Sequence, residues 1–157
     1  MSSYFILKAI HITSAAVLFG TGLGIAFFKW ITDRTGNVPA IRVVSEKVVL
    51  ADWLFTLPAI IVQVLTGWAL ARLMGYPLSH GWLAWSIALF ILAGACWIPV
   101  VWLQIRMRDL ARTSEREGRH LVPAGYRAYA RLWFWLGVPA FSAVVVILWF
   151  MVAKPGL

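Results

Sequence analysis

The chain has 157 residues, of which 62% are apolar and 13% charged, and its mean hydropathy is +0.83. Soluble domains contain about 45–50% apolar and about 25% charged residues. The composition therefore excludes a soluble domain, a disordered chain and a fibrous repeat, and it indicates an integral membrane protein. The net charge of +8 does not predict a nucleic-acid partner, because basic residues in a membrane protein also set its topology.

Four apolar segments are long enough to cross about 30 Å of hydrocarbon as helices. In chain order they cover about residues 4–30, 48–73, 82–104 and 129–152. Strands are excluded because an open sheet cannot satisfy its edges in lipid. The sequence predicts an all-α membrane protein, a four-transmembrane-helix bundle that forms a single integral membrane domain over residues 1–157.

The basic residues predict the orientation of this bundle. Eleven of the 14 lysines and arginines lie in the first and third connections between spans. The positive-inside rule places both connections in the cytoplasm. We therefore expect a multi-pass protein of the bacterial cytoplasmic (inner) membrane, with both termini on the outer, periplasmic side.

The first span contains His11, about two helical turns from its start. On a helix, Lys8, Ala15 and Gly22 share the His11 face. The small side chains of Ala15 and Gly22 leave space beside the imidazole for a flat macrocycle. The opposite face carries a row of small residues, predicted to pack against a neighbouring helix: Ala16, Gly20 and Gly24.

Two interpretations of His11 stay open. An ionisable residue inside a span is by default a functional candidate, and the alternative is a histidine hydrogen-bonded to another helix. Lys8 is close enough to the terminus to extend its ammonium group to the interface.

The second span carries a line of polar and small residues that should face the bundle interior. It consists of Asp52, Thr56, Ala59, Gln63, Thr66 and Gly67. We expect Asp52 to form an ion pair with Lys29 or Lys47 in preference to a proton-transfer role. Gln63 and Thr66 lie near the level of His11, where they either contact a ligand or hold helices together. Trp97 of the third span either packs on a macrocycle or belongs to the bundle core.

Haem is the cofactor that best suits these residues. A closed zinc site needs four ligands, and the single cysteine and three histidines supply no such set. One imidazole can serve as an axial haem ligand, and a b-type haem needs no covalent attachment motif. We predict His11 as the axial ligand and His80 as the candidate second metal ligand, although a turn at the membrane surface is the alternative for His80. The other predicted cofactor-binding residues are Lys8, Ala15, Gly22, Gln63, Thr66 and Trp97.

Several segments resemble a bacterial family of predicted four-helix integral membrane proteins without established function. The opening Leu7-Lys8-Ala9-Ile10-His11-Ile12 is followed by Phe19-Gly20-Thr21-Gly22. Further segments that carry the resemblance are Asp52-Trp53 through Pro58, Gln63 to Gly67, Gly94-Ala95-Cys96-Trp97 with Pro99, Trp102-Leu103-Gln104-Ile105-Arg106, and Met151-Val152-Ala153-Lys154-Pro155. The resemblance covers essentially the whole chain and implies no activity.

The Lys8–His11 opening is also similar to the start of HemJ-type protoporphyrinogen oxidases, four-helix membrane proteins associated with haem b. That similarity implies a haem role for His11. The group also uses a lysine of the third helix, and this chain has Trp85 or Ser86 in the corresponding region. Haem binding is therefore expected without the oxidase reaction.

Together these features predict a haem b-binding membrane protein with a redox or electron-transfer role. The alternative is a membrane subunit, assembly factor or small-solute carrier without catalysis or haem. Whether the chain is an enzyme is left open, and an enzymatic role would make it a membrane oxidoreductase. The expected partner is the lipid bilayer, with a quinol or another redox partner and a homodimer as further options.

Overall fold

The computed structural model describes residues 2–79 and 81–155. Its regular structure is helical: α1 covers Ser2–Thr35, α2 covers Val38–Ala51, α3 covers Leu57–Met74, α4 covers Gly81–Arg116 and α5 covers Ala124–Ala153. A π-helical segment, Asp52–Thr56, joins α2 to α3. Four helices or continuous helical segments are long and apolar enough to span a membrane. The prediction of an all-helical protein with four spans is therefore confirmed.

The first connection is much shorter than the sequence suggested. Only Gly36 and Asn37 separate α1 from α2, and Gly36 has a φ of +66°, which glycine adopts without steric cost. The Asn37 side chain accepts a hydrogen bond from the Ala40 amide at 3.0 Å and so caps α2. The second span consequently begins at Val38 instead of near residue 48.

The π-helical segment lies between the amphipathic α2 and the more apolar α3. Its wide turn is closed by the Leu57 amide, which donates to the Asp52 carbonyl oxygen. Pro58 follows immediately, and proline supplies no N–H for a helical bond. The π-turn accommodates the proline without ending the helix, so α2, the π-helical segment and α3 form one continuous span.

The remaining turns are formed by glycines. Gly75 ends α3 with a φ of +68°, and Gly118 follows α4 with a φ of +63°. The α4 helix extends to Arg116, well beyond the predicted span end near residue 104, before α5 starts at Ala124. The third connection therefore begins as an extension of α4 and turns at Gly118.

The helices pack as two hairpin-like pairs, α1 with α2–α3 and α4 with α5, and α2 also packs on α4. We call the end with the α1–α2 and α4–α5 connections the connection end, and the opposite end the terminal end. The apolar core lies towards the connection end and contains Ile41, Leu103, Met107, Ala111, Tyr126 and Trp133. Which end faces the cytoplasm stays a prediction from the basic residues.

The small-residue row on α1 does not pack as expected. A Cβ atom built on Gly20 or on Gly24 would meet no atom of the described residues within 4 Å. Ala16 is exposed as well. The row therefore contacts no other described helix, because the polar face of α1 turns towards α3 and carries the row outwards, and its packing against a neighbouring helix stays a prediction.

Candidate functional site

The His11 imidazole is held between α1 and α3 by hydrogen bonds on both ring nitrogens. Its Nδ1 lies 2.8 Å from Thr66 Oγ1, and its Nε2 lies 3.0 Å from Gln63 Nε2. The Ser14 hydroxyl, one turn along α1, contacts both the His11 carbonyl oxygen at 2.9 Å and Gln63 Oε1. We call His11, Ser14, Gln63 and Thr66 the histidine cluster.

The hydroxyl of Thr66 fixes the direction of one of these bonds. It donates to the Val62 carbonyl oxygen at 2.6 Å, and a hydroxyl has a single hydrogen. It therefore accepts from His11 Nδ1–H, and Nε2 of the neutral ring accepts from the Gln63 amide. Hydrogen bonds on both nitrogens satisfy a histidine that lies in the apolar part of a bundle.

The space beside the imidazole is closed on the side of α3. A Cβ atom on Gly67 would lie 3.1 Å from His11 Cε1, so the ring rests against the bare backbone of α3. Gly22 lies about three helical turns further along α1, and the space beside it is taken by Phe141 of α5, whose Cζ would lie 3.2 Å from a Cβ there. Haem ligation needs a free ring nitrogen, so Gln63 would have to leave Nε2. In this packing both ring nitrogens are occupied, and axial ligation by His11 stays a prediction.

Asp52 forms the centre of a second buried cluster, between the π-helical segment and α4. Its carboxylate lies beside the side chains of Thr56, Trp97 and Gln104. Asp52, Thr56 and Gln104 are 5%, 4% and 3% exposed. Among the described residues, Asp52 Oδ2, Thr56 Oγ1 and Trp97 Nε1 form no hydrogen bond of normal geometry. We call these four residues the aspartate cluster.

The predicted ion pair of Asp52 with Lys29 or Lys47 is wrong. The Lys29 ammonium binds both carboxylate oxygens of Asp33, at 2.9 and 3.1 Å, because Asp33 lies one turn further along the same helix. Among the residues that the structure describes, no ion pair includes Asp52.

A third polar cluster joins α1 to α5 near the connection end. Lys29, only 1% exposed, also donates to the Tyr126 hydroxyl at 2.6 Å. Tyr126 donates in turn to Asp33 Oδ1 at 2.6 Å, and buried Ser45 of α2 lies beside it. We call Lys29, Asp33, Tyr126 and Ser45 the lysine cluster. Sequence reasoning missed it, although the Lys29–Asp33 spacing of four residues was a usable signal.

One line of residues on α2, the π-helical segment and α3 connects the three clusters. This line, the polar stripe, consists of Ser45, Asp52, Thr56, Gln63 and Thr66. It extends the predicted line of the second span by Ser45 and faces the neighbouring helices, as expected. At about 1.5 Å per residue, its 21-residue length corresponds to about 31 Å, close to the thickness of the hydrocarbon layer.

The other predicted site residues have separate surroundings. Lys8 is exposed and its ammonium lies 5.8 Å from the Tyr4 ring centre, which suits a lysine that reaches towards the interface. Ala15 is half-buried, and Trp97 belongs to the aspartate cluster. His80 lies outside the described residues. Within the described ranges, no group of three or more His, Cys, Asp or Glu side chains is arranged to hold a metal ion.

Comparison with known proteins identifies a family. The model of the family described as "Predicted integral membrane protein (DUF2269)" matches residues 5–155. No curated protein and no solved structure was found to match the chain, and the similarity to HemJ-type oxidases is not shown. Because the match covers nearly the whole sequence and the structure has four helices able to span a membrane, the chain belongs to this DUF2269 family of predicted integral membrane proteins.

Proposed function

We propose that the chain is a small-solute carrier of the membrane, and that the solute it carries along the polar stripe is the proton. The observation that supports this is that the polar stripe is about as long as the hydrocarbon layer is thick. Two titratable groups lie on the stripe or beside it. Asp52 lies on the stripe, and His11 is hydrogen-bonded to its last two members, Gln63 and Thr66.

The lack of a charged partner favours this role for both groups. In the described part of the chain neither Asp52 nor His11 forms an ion pair. Ionisable residues in a bilayer are costly, and those that face a bundle interior commonly mark ion pathways and proton relays. The buried ammonium group of Lys29 differs because Asp33 neutralises it.

The proposed proton steps are balanced at each group. The Asp52 carboxylate takes a proton from a hydronium ion at one side of the membrane, which leaves a carboxylic acid and a water molecule, and it then gives the proton to a water molecule on the stripe between Asp52 and His11. The neutral His11 ring accepts that proton from the resulting hydronium ion at Nε2 once the Gln63 amide turns away, and it then loses a proton to water at the other side. Each group ends in its starting state, so the net result is one proton moved down its gradient.

The alternative role for the stripe is to hold helices together. Polar side chains that hydrogen-bond between membrane helices stabilise packing by about 0.6 kcal/mol on average. A purely structural stripe would lose stability when changed and would have no transport to lose. Proton flux therefore separates the two roles.

The test measures proton flux into liposomes that contain purified protein and a trapped pH-sensitive dye, with a potassium gradient and valinomycin as the driving force. We expect Asp52→Asn and His11→Gln each to reduce the flux at least tenfold. The matched controls are Asp109→Asn, at a half-exposed carboxylate paired with adjacent Arg108, and His120→Gln, in the exposed third connection. Wild-type flux no higher than that of empty liposomes would refute the proposal. So would full flux in both stripe variants.

Haem b binding through His11, with a redox role, is a second candidate. It is favoured by the Thr66 hydroxyl on Nδ1, because metal-ligating histidines typically donate their other ring N–H to a fixed acceptor. Thr66 would hold the ring, Nε2 would be the ligand, and a bound haem would supply electron transfer.

The haem candidate has its own measurement. Protein purified from haem-supplemented cells should show a Soret band that is lost or shifted in His11→Ala and kept in His120→Ala. Gln63→Ala, which frees Nε2, should retain or increase haem. Colourless wild-type and Gln63→Ala proteins would rule out this candidate.

A further inference from the structure

The aspartate cluster carries three buried polar atoms that lie close together without a hydrogen bond of normal geometry to any described residue. They are Asp52 Oδ2, Thr56 Oγ1 and Trp97 Nε1. Asp52 and Thr56 are more than nine-tenths buried, and Trp97 lies beside the same carboxylate. Buried polar side-chain atoms are nearly always hydrogen-bonded to protein or to ordered water. Two such atoms beside a carboxylate oxygen that also lacks a hydrogen bond therefore indicate a ligand.

We propose that this cluster is a binding site for a single water molecule, held between the π-helical segment and α4. The inference goes beyond proton carriage, because the water would be bound even if the stripe only held the helices together.

The chemistry of the three atoms selects water over an ion. The indole N–H only donates, an ionised carboxylate only accepts, and a threonine hydroxyl does both. A water molecule can accept from Trp97, donate to Asp52 and bond Thr56, which gives it the three hydrogen bonds typical of buried water. A metal cation would face the hydrogen of the indole N–H, and an anion would face the Asp52 carboxylate.

The π-helical segment explains why the two stripe residues converge on one point. Its i→i+5 turn is wider than an α-turn, so residues four positions apart lie closer to one line along the helix. Asp52 and Thr56 are its first and last residues. Both side chains consequently face α4, where Gln104 completes the wall beside the carboxylate.

The test is solid-state NMR of protein in phosphatidylcholine bilayers with 15N-labelled tryptophan, in which magnetisation is transferred from water to the indole N–H groups. The Trp97 signal is assigned by its loss in Trp97→Phe. We expect the wild-type Trp97 indole to receive water magnetisation at least threefold faster than that of Trp102, which is exposed on the outside of α4 and lies against Tyr129.

Two variants at the site and one control keep the test decisive. Thr56→Val has nearly the same shape as the wild type and removes one partner of the water, so the Trp97 rate should fall at least twofold. Asp52→Leu should lower it further. Thr13→Val makes the same substitution at an exposed position of α1 and should leave the rate unchanged.

The outcomes separate this site from the proposed transport. A Trp97 rate equal to that of Trp102, or one that Thr56→Val and Asp52→Leu leave unchanged, would overturn the water site. If water is present at Trp97 while Asp52→Asn transports protons normally, the water site stands and proton carriage through Asp52 fails.

Discussion

Gly67→Ala tests whether the histidine cluster depends on the bare backbone of α3. A Cβ at residue 67 would lie 3.1 Å from His11 Cε1 and 3.8 Å from Nδ1. Carbon atoms pack best at about 3.5–4.0 Å, so the imidazole must retreat by roughly 0.4 Å. It has little room to do so, because its hydrogen bonds to Thr66 and Gln63 are 2.8 and 3.0 Å long.

Two opposing contributions set the size of the effect. Replacing a glycine inside a helix by alanine favours folding by about 1 kcal/mol. Loss or weakening of hydrogen bonds to a buried group costs about 1–3 kcal/mol. We therefore expect Gly67→Ala to be neutral or destabilising by up to about 2 kcal/mol in the wild type. In a His11→Ala background the clash is absent, and the same change should stabilise the protein by about 1 kcal/mol.

The assay is a double-mutant cycle on the free energy of unfolding in mixed detergent micelles. Gly20→Ala is the control, because a Cβ there meets nothing within 4 Å, and its effect should be the same with and without His11. We expect a coupling energy between residues 11 and 67 of about 1–3 kcal/mol, as for residues in direct contact. Equal stabilisation by Gly67→Ala in both backgrounds would refute the described position of the imidazole.

Two further predictions concern the contacts of α1 with α5. Lys29→Met should lower the free energy of unfolding by about 3 kcal/mol, because it leaves Asp33 and Tyr126 without their cation. The double variant Lys29→Met/Asp33→Leu should recover most of this loss. The control Arg108→Met should cost less than about 1 kcal/mol, since its partner Asp109 is half-exposed. A double variant no more stable than Lys29→Met would contradict the assignment of a buried triad. Gly22→Val should destabilise the protein by about 1–3 kcal/mol, because the valine side chain meets the Phe141 ring. Phe141→Leu in the same chain should relieve part of that cost. Additive effects of the two substitutions in thermal unfolding would exclude this contact.

Much of the fold follows from local sequence patterns. The four apolar segments predicted four spans, since length and hydropathy alone decide whether a helix can cross the bilayer. The line from Asp52 to Thr66 predicted which face of the second span turns inwards. Helix bounds were less predictable. Asn37 caps a helix that begins at Val38, ten residues before the predicted start of the second span, and the π-helical segment before Pro58 was not predicted.

The partners of the polar residues were the least predictable part. The sequence offered Lys29 and Lys47 as partners for Asp52, but Lys29 is bound by Asp33 and Tyr126. Ser14 and Gln104 were not predicted as members of a site, although Ser14 lies one turn from His11 on the same helix. Such pairings depend on the rotation and level of each helix relative to its neighbours, and a single helix sequence does not contain this information.

The sequence by itself therefore determined the class of protein, the number of spans and the inward face of the second span, because each depends on the transfer of side chains from water to lipid. Only the tertiary structure decided that His11 binds Thr66 and Gln63, that no cation of the described residues forms an ion pair with Asp52, and that no other described helix packs against the row of Ala16, Gly20 and Gly24. A polar side chain in a membrane must find a hydrogen-bond partner, and helix packing alone determines which partner is within reach.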